Sequence, residues 1–269
     1  MSSTPIIDYV PEDEWPTVST MLDGFGQQTL EASSSLSGTS LVLIDENGSS
    51  TEYIFETGTT LRWRSDATHG APTGTATYKA IEARQGIFIV DFVVGDGVDA
   101  RNTTFVYDTS TGVATSGLST FFKGEDKVRG NTEFIHATTP DSTNAPAHRR
   151  SSKLVGKRIY YRYSDTEAYE HIYLTPGAFT WHCIRGGEQG LADTERCMVF
   201  DVAEDLYLFF WTEKVMAVEA VLLVDLGEER SIGRMFGWDD SSHEPVILPF
   251  NSRLSILNTT NYPQDHNKH

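Results

Sequence analysis

The sequence predicts an all-β protein made of two tandem antiparallel up-and-down barrels, preceded by a short helix. Two observations support this prediction. Short runs rich in Val, Ile, Tyr, Phe and Thr alternate with Gly, Asp, Asn and Pro along most of the chain, which is typical of antiparallel strands joined by tight turns. The chain also repeats itself at a nearly constant spacing, which indicates two copies of one unit.

The internal repeat has an offset of 118 residues, the separation of Gly38 and Gly156, and the same offset pairs Trp63 with Trp181. Other pairs at this offset, or within a few residues of it, are Glu52 with Glu170, Ile54 with Ile172, Phe55 with Tyr173, Thr57 with Thr175, and 87–90 with 206–209. Loop insertions and deletions would cause such small drifts. Chance similarity between two β segments is the alternative.

Each copy holds roughly eight strand-like runs, enough for an up-and-down barrel that closes on itself and encloses one small ligand. We expect a first barrel with its leading helix over residues 1–137 and a polar, proline-bearing linker over 138–153. The second barrel then spans 154–262, and a disordered tail spans 263–269.

The leading helix is predicted between Pro11 and Phe25. Apolar residues recur there at three- and four-residue spacing, as they do on one face of a helix. These residues are Trp15, Val18, Met21, Leu22 and Phe25. A short helix at this position would pack across one end of a barrel.

Composition excludes several classes of function. The 269 residues carry 38 acidic and 21 basic side chains, a net charge of −17, which would repel nucleic acid and anionic lipid. No apolar run approaches the ~18 residues of a spanning helix, and no secretory signal is visible, so we expect a cytoplasmic protein without a membrane partner. Cys183 and Cys197 form no C-x-x-C motif and are expected to be small buried residues, with a catalytic thiol as the alternative.

Candidate site residues are concentrated in the second copy, where strand alternation distributes aromatic and ionisable side chains over two faces. The candidate catalytic residues are Tyr161, Tyr163, His171, Tyr173, His182 and Glu195, and the candidate substrate-binding residues are Trp181, Arg196, Phe209, Trp211 and Glu213. A lumen that held imidazole, phenol and carboxyl groups could carry out general acid–base chemistry. Periodicity does not identify the lumen face, so core aromatics with satisfied or exposed histidines are the alternative.

The first copy has a different set of candidate side chains: Trp63 is a candidate substrate-binding residue and is flanked by Arg62 and Arg64. Arg62 could bind a carboxylate because a guanidinium matches that group with two hydrogen bonds. Outward-facing strand charges are the alternative. No metal motif, P-loop or dinucleotide fingerprint occurs, so we expect neither a metal nor a cofactor.

Long blocks of the second copy resemble the MoaF family, which is named for molybdenum cofactor biosynthesis. The blocks are 154–158, 163–174, 180–183, 190–197, 206–209, 211–214 and 230–233. The first copy resembles the family's N-terminal domain more loosely, through Glu52-Tyr53-Ile54-Phe55. The resemblance implies two barrels of the calycin class, which includes lipocalins and is similar to phenolic acid decarboxylases. It also places most of the second-copy candidates, from Tyr163 to Glu213, in family motif positions.

Three functions follow as hypotheses. The first is a cofactor-free enzyme that isomerises, cyclises, dehydrates or decarboxylates a small aromatic or polyunsaturated molecule inside a barrel. The second is a lipocalin-like carrier of a small hydrophobic or aromatic molecule. The third, an accessory role in molybdenum cofactor assembly, rests on the family name. A homodimer is compatible with exposed aromatic residues, although the sequence locates no interface.

Overall fold

The computed structural model describes residues 9–21, 24–66, 72–142 and 144–262. Within these ranges the regular structure consists of 17 β-strands and four short 3-10 turns. The strands form two eight-stranded antiparallel barrels in tandem, which confirms the predicted fold class. The predicted tail, 263–269, lies outside the described residues.

The first barrel is closed by pairing of its first and last strands. Its strands are β1 (Ser40–Asp45), β2 (Ser50–Phe55), β3 (Thr60–Ser65), β4 (Thr73–Arg84), β5 (Ile87–Val94), β6 (Arg101–Asp108), β7 (Val113–Lys123) and β8 (Val128–Thr138). Each strand pairs with its sequence neighbour, so the topology is up-and-down. Closure leaves no free sheet edge.

The second barrel repeats this order with one interruption. Its strands are β9 (Lys157–Arg162), β10 (Ala168–Thr175), β11 (Ala178–Arg185), β12 (Ala192–Ala203), β13 (Leu206–Thr212), β14 (Val218–Asp225), β15 (Arg230–Asp239), β16 (Glu244–Pro249) and β17 (Ser252–Thr259). Both β16 and β17 pair with β15, and β17 also pairs with β9. Together, β16 and β17 therefore take the place of a single eighth strand, so the barrel has eight strand positions although the chain forms nine strands there.

Backbone geometry confirms the internal duplication. Gly38 and Gly156 both have positive φ, 76° and 83°, a conformation that favours glycine. Their N–H groups donate to the carbonyl oxygens of Phe55 at 2.7 Å and Tyr173 at 2.8 Å, and these two residues also occupy equivalent positions in the repeat. The two copies thus share a conserved turn geometry and the same backbone hydrogen bond, in addition to similar residues.

The predicted N-terminal helix is absent among the described residues of that segment, which instead form 3-10 turns at Glu12–Glu14 and Val18–Met21. Residues 22–23 lie outside the described ranges. Pro16 explains the difference because it has no N–H to donate and disfavours helical geometry at Trp15, whose φ and ψ are −68° and 148°. Trp15, Val18 and Phe25, three of the apolar residues that suggest a helix, pack against the second barrel.

The two barrels share a buried interface. Its apolar part is formed by Ile81, Ile87, Ile89 and Val106 of the first barrel and Phe200, Leu206, Leu208, Phe210, Val221, Leu223 and Ile232 of the second. A buried cation crosses it: Arg234 donates to the hydroxyls of Thr104 at 2.8 Å and Ser119 at 3.0 Å and to the carbonyl of Glu219 at 2.7 Å. Burial lowers the pKa of Arg234 to about 10. The network fixes one barrel against the other.

Cys183 and Cys197 are buried and form no disulfide. None of the described helical segments has the length and apolar character needed to cross a membrane.

Candidate functional site

The lumen of the second barrel is filled by aromatic side chains. Alternate residues of each strand face inward: Tyr161 and Tyr163 from the β9 side, Tyr169, His171 and Tyr173 from β10, Phe179 and Trp181 from β11, and Tyr207, Phe209 and Trp211 from β13. Most of these rings are almost fully buried. The hydroxyls of Tyr161 and Tyr173 are 2.5 Å apart and hydrogen-bond to each other. Period-two alternation therefore brings most of the aromatic candidates into one space.

His171 lies in the middle of this aromatic lumen. Its ring centre is 4.1 Å from that of Tyr161, 5.0 Å from Phe179 and 5.5 Å from Trp211. Its Nδ1 has no hydrogen-bond partner among the described residues. Burial lowers the pKa of His171 to about 3, so the imidazole is neutral and a poor proton acceptor at pH 7.

Three carboxyl groups lie toward the β11–β12 and β13–β14 turns of this barrel: Glu188, Glu195 and Glu213. Burial raises the pKa of Glu195 to about 8, with a further contribution from Asp193. Burial also raises the pKa of Glu188 to about 7. Burial and the two neighbouring glutamates raise that of Glu213 well above its usual range. We call these three residues the carboxyl set.

Hydrogen bonds connect the carboxyl set to the aromatic lumen. The Tyr169 hydroxyl donates to Glu188 Oε2 at 2.7 Å, and Trp211 Nε1 donates to Glu213 Oε1 at 3.2 Å. The backbone N–H of Lys214 donates to Glu195 Oε1 at 3.3 Å. Glu188 and Glu213 are therefore hydrogen-bonded to aromatic side chains of the lumen, whereas the hydrogen bond to Glu195 comes from the backbone.

Several buried polar atoms at this end have no hydrogen-bond partner in the described part of the chain. They are Tyr163 Oη, Trp181 Nε1 and Glu188 Oε1. An unsatisfied buried polar atom costs about 1–3 kcal/mol, so such atoms indicate a place where water or a ligand makes the missing hydrogen bonds.

Residues 10–20 and 24–25, named here the cap segment, cover this end of the second barrel. The Trp15 ring packs edge-on against Trp181, with centres 5.7 Å apart. The Phe25 ring lies 4.9 Å from Tyr163 and 5.0 Å from Phe250. Gln27 follows the cap segment and accepts a hydrogen bond from the backbone N–H of Asp165 at 2.7 Å. The cap segment therefore packs against aromatic side chains of the lumen at this end of the barrel.

Three predicted site residues lie on outer faces, away from both lumens. His182 alternates with the inward-facing Trp181, and its Nδ1 lies 2.9 Å from Glu170 Oε1. Arg196 follows the buried Glu195 and is exposed. Arg62 is paired with Glu56 at 3.1 Å on the outside of the first barrel, whereas the neighbouring Trp63 faces that barrel's lumen. Period-two alternation separates each of them from its inward neighbour.

Sequence reasoning missed Glu188. It placed the N-terminal segment across a barrel end but predicted a helix where the cap segment forms 3-10 turns. Glu188 belongs to the β11–β12 turn, after Gly186 and Gly187, and no motif distinguishes it from an exposed turn residue. The sequence signal for the cap segment is the apolar spacing of Trp15 and Phe25. The same spacing also fits a helix. Among the described residues, no group of three or more His, Cys, Asp or Glu side chains is arranged to hold a metal ion.

Two closed antiparallel barrels in tandem, each with aromatic side chains in its lumen, define an all-β protein of duplicated up-and-down barrels. The chain belongs to the MoaF family: the model of the MoaF N-terminal domain matches residues 13–123, and that of the MoaF C-terminal domain matches 148–260. Protein MoaF of Klebsiella aerogenes is 30% identical over 266 residues, which cover 92% of this chain and 97% of that protein.

A search of solved structures found a crystal structure from Burkholderia vietnamiensis of a protein provisionally described as a β-lactamase. It is 20% identical and covers 40% of this chain and 99% of its own, with a TM-score of 0.34. At that score the likeness carries no argument about this chain.

Proposed function

We propose that the second barrel is the site of cofactor-free acid–base catalysis on a small aromatic or polyunsaturated molecule. The reaction class is an isomerisation, cyclisation, dehydration or decarboxylation. The observation that carries the proposal is the carboxyl set beside an aromatic lumen, in which burial raises the pKa of Glu188 to about 7 and that of Glu195 to about 8. Acid–base catalysis is most efficient when the pKa of the catalytic group lies near the working pH.

Proton sharing within the carboxyl set would supply both an acid and a base. Three carboxyl groups in one buried volume resist simultaneous ionisation, so some stay protonated near pH 7 while another loses its proton. Glu195, with a pKa of about 8, is the candidate proton donor. Glu188, with a pKa of about 7, is the candidate acceptor. His171, held neutral by burial, is a lumen wall in this proposal and does not move a proton.

The unpartnered polar atoms would orient the substrate. The Tyr163 hydroxyl is a hydrogen-bond donor for an oxygen that gains negative charge during the reaction, and Trp181 Nε1 is a second donor. Burial raises the pKa of Tyr163, which keeps this hydroxyl protonated. Trp181 and Trp211 would provide flat surfaces for a planar ring. Substrate entry would require displacement of Trp15 and Phe25 in the cap segment.

A non-catalytic carrier is the second candidate, and the aromatic lumen favours it as much as it favours an enzyme. The two functions differ in the need for ionisable groups, because a carrier requires only complementary shape and apolar contact. An accessory role in molybdenum cofactor assembly has support only from the family resemblance.

The experiment is a search for proton transfer. Purified protein is incubated with a small-molecule cell extract in D₂O, and mass spectrometry follows molecules that are converted and gain deuterium. We expect conversion by the native protein and a loss of about 100-fold or more in Glu195→Gln. Glu244→Gln changes an exposed glutamate of β16 and is the matched control, with an expected rate equal to that of the native protein.

Equal conversion by native protein and Glu195→Gln would contradict the proposal. A molecule that is retained by the protein but never converted would contradict it in favour of the carrier.

A further inference from the structure

The first barrel contains a cavity of about 470 Å³ at the end that corresponds to the carboxyl-set end of the second barrel. Residues of seven strands line it, so it is the upper part of the lumen and not a surface groove. Its volume lies in the range typical of small-molecule sites, about 300–1,000 Å³. The lumen below it is packed by Phe55, Tyr78, Phe88 and Phe105.

The floor of the cavity is aromatic. Tyr53, Trp63 and Phe92 form it, with the Trp63 and Phe92 ring centres 5.4 Å apart and those of Tyr53 and Phe92 6.3 Å apart. Glycine at position 74 leaves room for the Trp63 ring, because a Cβ at Gly74 would lie 2.2 Å from that ring. The indole therefore lies directly against the backbone of β4 and presents a flat wall to the cavity.

Arg101 stands at the entrance of the cavity. It shares a face of β6 with Thr103, which also lines the cavity, and with the buried Phe105. Four other arginines of this barrel are paired with carboxylates: Arg62, Arg64, Arg84 and Arg129. Arg101 has no ion pair within the described residues. Two carboxylates also line the cavity: Asp45, whose Oδ1 accepts hydrogen bonds from the backbone N–H groups of its own turn, and the exposed Asp99.

The equivalent end of the second barrel carries different side chains. Residues at matching strand positions are Val94 and Glu213, Ala76 and Glu195, and Arg101 and Val218. At two of these positions a carboxyl group of the second barrel is replaced by an apolar side chain in the first, and at the third an apolar side chain is replaced by a cation.

We infer that the lumen of the first barrel is a separate binding site for a small planar aromatic molecule with one anionic group. The ring stacks on Trp63 and Phe92, and the anionic group pairs with the guanidinium of Arg101 at the entrance. Hydroxyl groups on the wall, including those of Thr103 and Ser116, accept or donate further hydrogen bonds. This site is independent of the reaction proposed for the second barrel.

Two fluorescent probes that share a ring system test the site: 8-anilinonaphthalene-1-sulfonate, which is anionic, and N-phenyl-1-naphthylamine, which lacks the sulfonate. We expect saturable binding of both by the native protein. Thr103→Phe fills the cavity and should weaken both probes by at least tenfold. Thr75→Phe places the same ring on the exposed outer face of the barrel and should leave both affinities unchanged.

Charge is tested with Arg101→Gln, which should weaken the anionic probe about fivefold or more and leave the neutral probe unchanged. Arg64→Gln removes an outward-facing arginine and is its control. Equal affinities of Thr103→Phe and native protein, or absence of saturable binding, would overturn the site. An equal effect of Arg101→Gln on both probes would overturn the anionic ligand. Arg101 is exposed, so Arg101→Gln should fold like the native protein. The comparison of the two probes on Arg101→Gln therefore still tests the site if Thr103→Phe fails to fold.

Discussion

Substitution of Glu195 by Gln should make the protein more stable, and increasingly so as the pH rises. The pKa of Glu195 is raised by burial from 4.5 to about 8 in the folded protein. Between these values the folded state retains a proton that the unfolded state has released. Stability therefore falls as the pH rises, by about 1.4 kcal/mol per pH unit, and the loss is complete above the folded pKa.

The magnitude follows from the pH interval. From pH 5 to pH 7 the cost of keeping Glu195 protonated grows by roughly 3 kcal/mol. Glutamine has a similar shape and no proton to retain, and its oxygen can still accept the hydrogen bond from the backbone N–H of Lys214. Any constant cost of burying the amide cancels between the two pH values. The advantage of Glu195→Gln over the native protein should thus increase by roughly 3 kcal/mol.

The assay is urea unfolding of both proteins at pH 5, 6, 7 and 8, monitored by tryptophan fluorescence. Glu244→Gln, at an exposed position, is the control and should run parallel to the native protein. A difference between Glu195→Gln and native protein that stays constant from pH 5 to pH 8 would refute the reasoning, because Glu195 would then have no raised pKa.

Three further predictions concern the framework. Arg234→Met should lower the free energy of unfolding by about 3–5 kcal/mol, because it leaves the buried partners of the guanidinium without a hydrogen bond. A loss below about 1 kcal/mol would contradict this. Gly156→Ala should cost more than Gly38→Ala, since both have positive φ but only the first would bring Cβ within 2.6 Å of a carbonyl oxygen; equal costs in thermal unfolding would argue against it. Phe25→Ala should cost about 3 kcal/mol and accelerate amide exchange near Tyr163, and unchanged exchange would show that Phe25 does not seal the barrel.

The fold was predictable because its determinants are local. Alternation of apolar and polar residues specifies strands, and the repeat from Gly38 to Gly156 specifies two equivalent units whose turns need positive φ. The N-terminal segment shows the limit of this approach. Its apolar spacing fits a helix, but Pro16 interrupts helical geometry at Trp15, and Trp15, Val18 and Phe25 instead pack against the second barrel.

The candidate site was only partly predictable. A strand pattern separates Trp181 from His182 but does not say which of them faces the lumen, because barrel closure makes that choice. Burial also shifts the pKa values of the lumen side chains, so the residue type alone predicts the wrong proton-transfer group. His171 has an ordinary pKa near neutrality but is held neutral in the lumen, whereas Glu195 is moved into the neutral range. Glu188 comes from a turn whose position depends on the whole barrel.

The carboxyl set is tested most directly by its protonation state. Protein labelled with ¹³C at the glutamate side-chain carboxyl carbons would be titrated by NMR from pH 4 to pH 10, with signals assigned through Glu188→Gln, Glu195→Gln and Glu213→Gln. We predict a Glu195 signal with a midpoint near pH 8 and a Glu188 signal near pH 7. Complete ionisation of all three carboxyl groups below pH 5 would contradict an acid–base site in the second barrel.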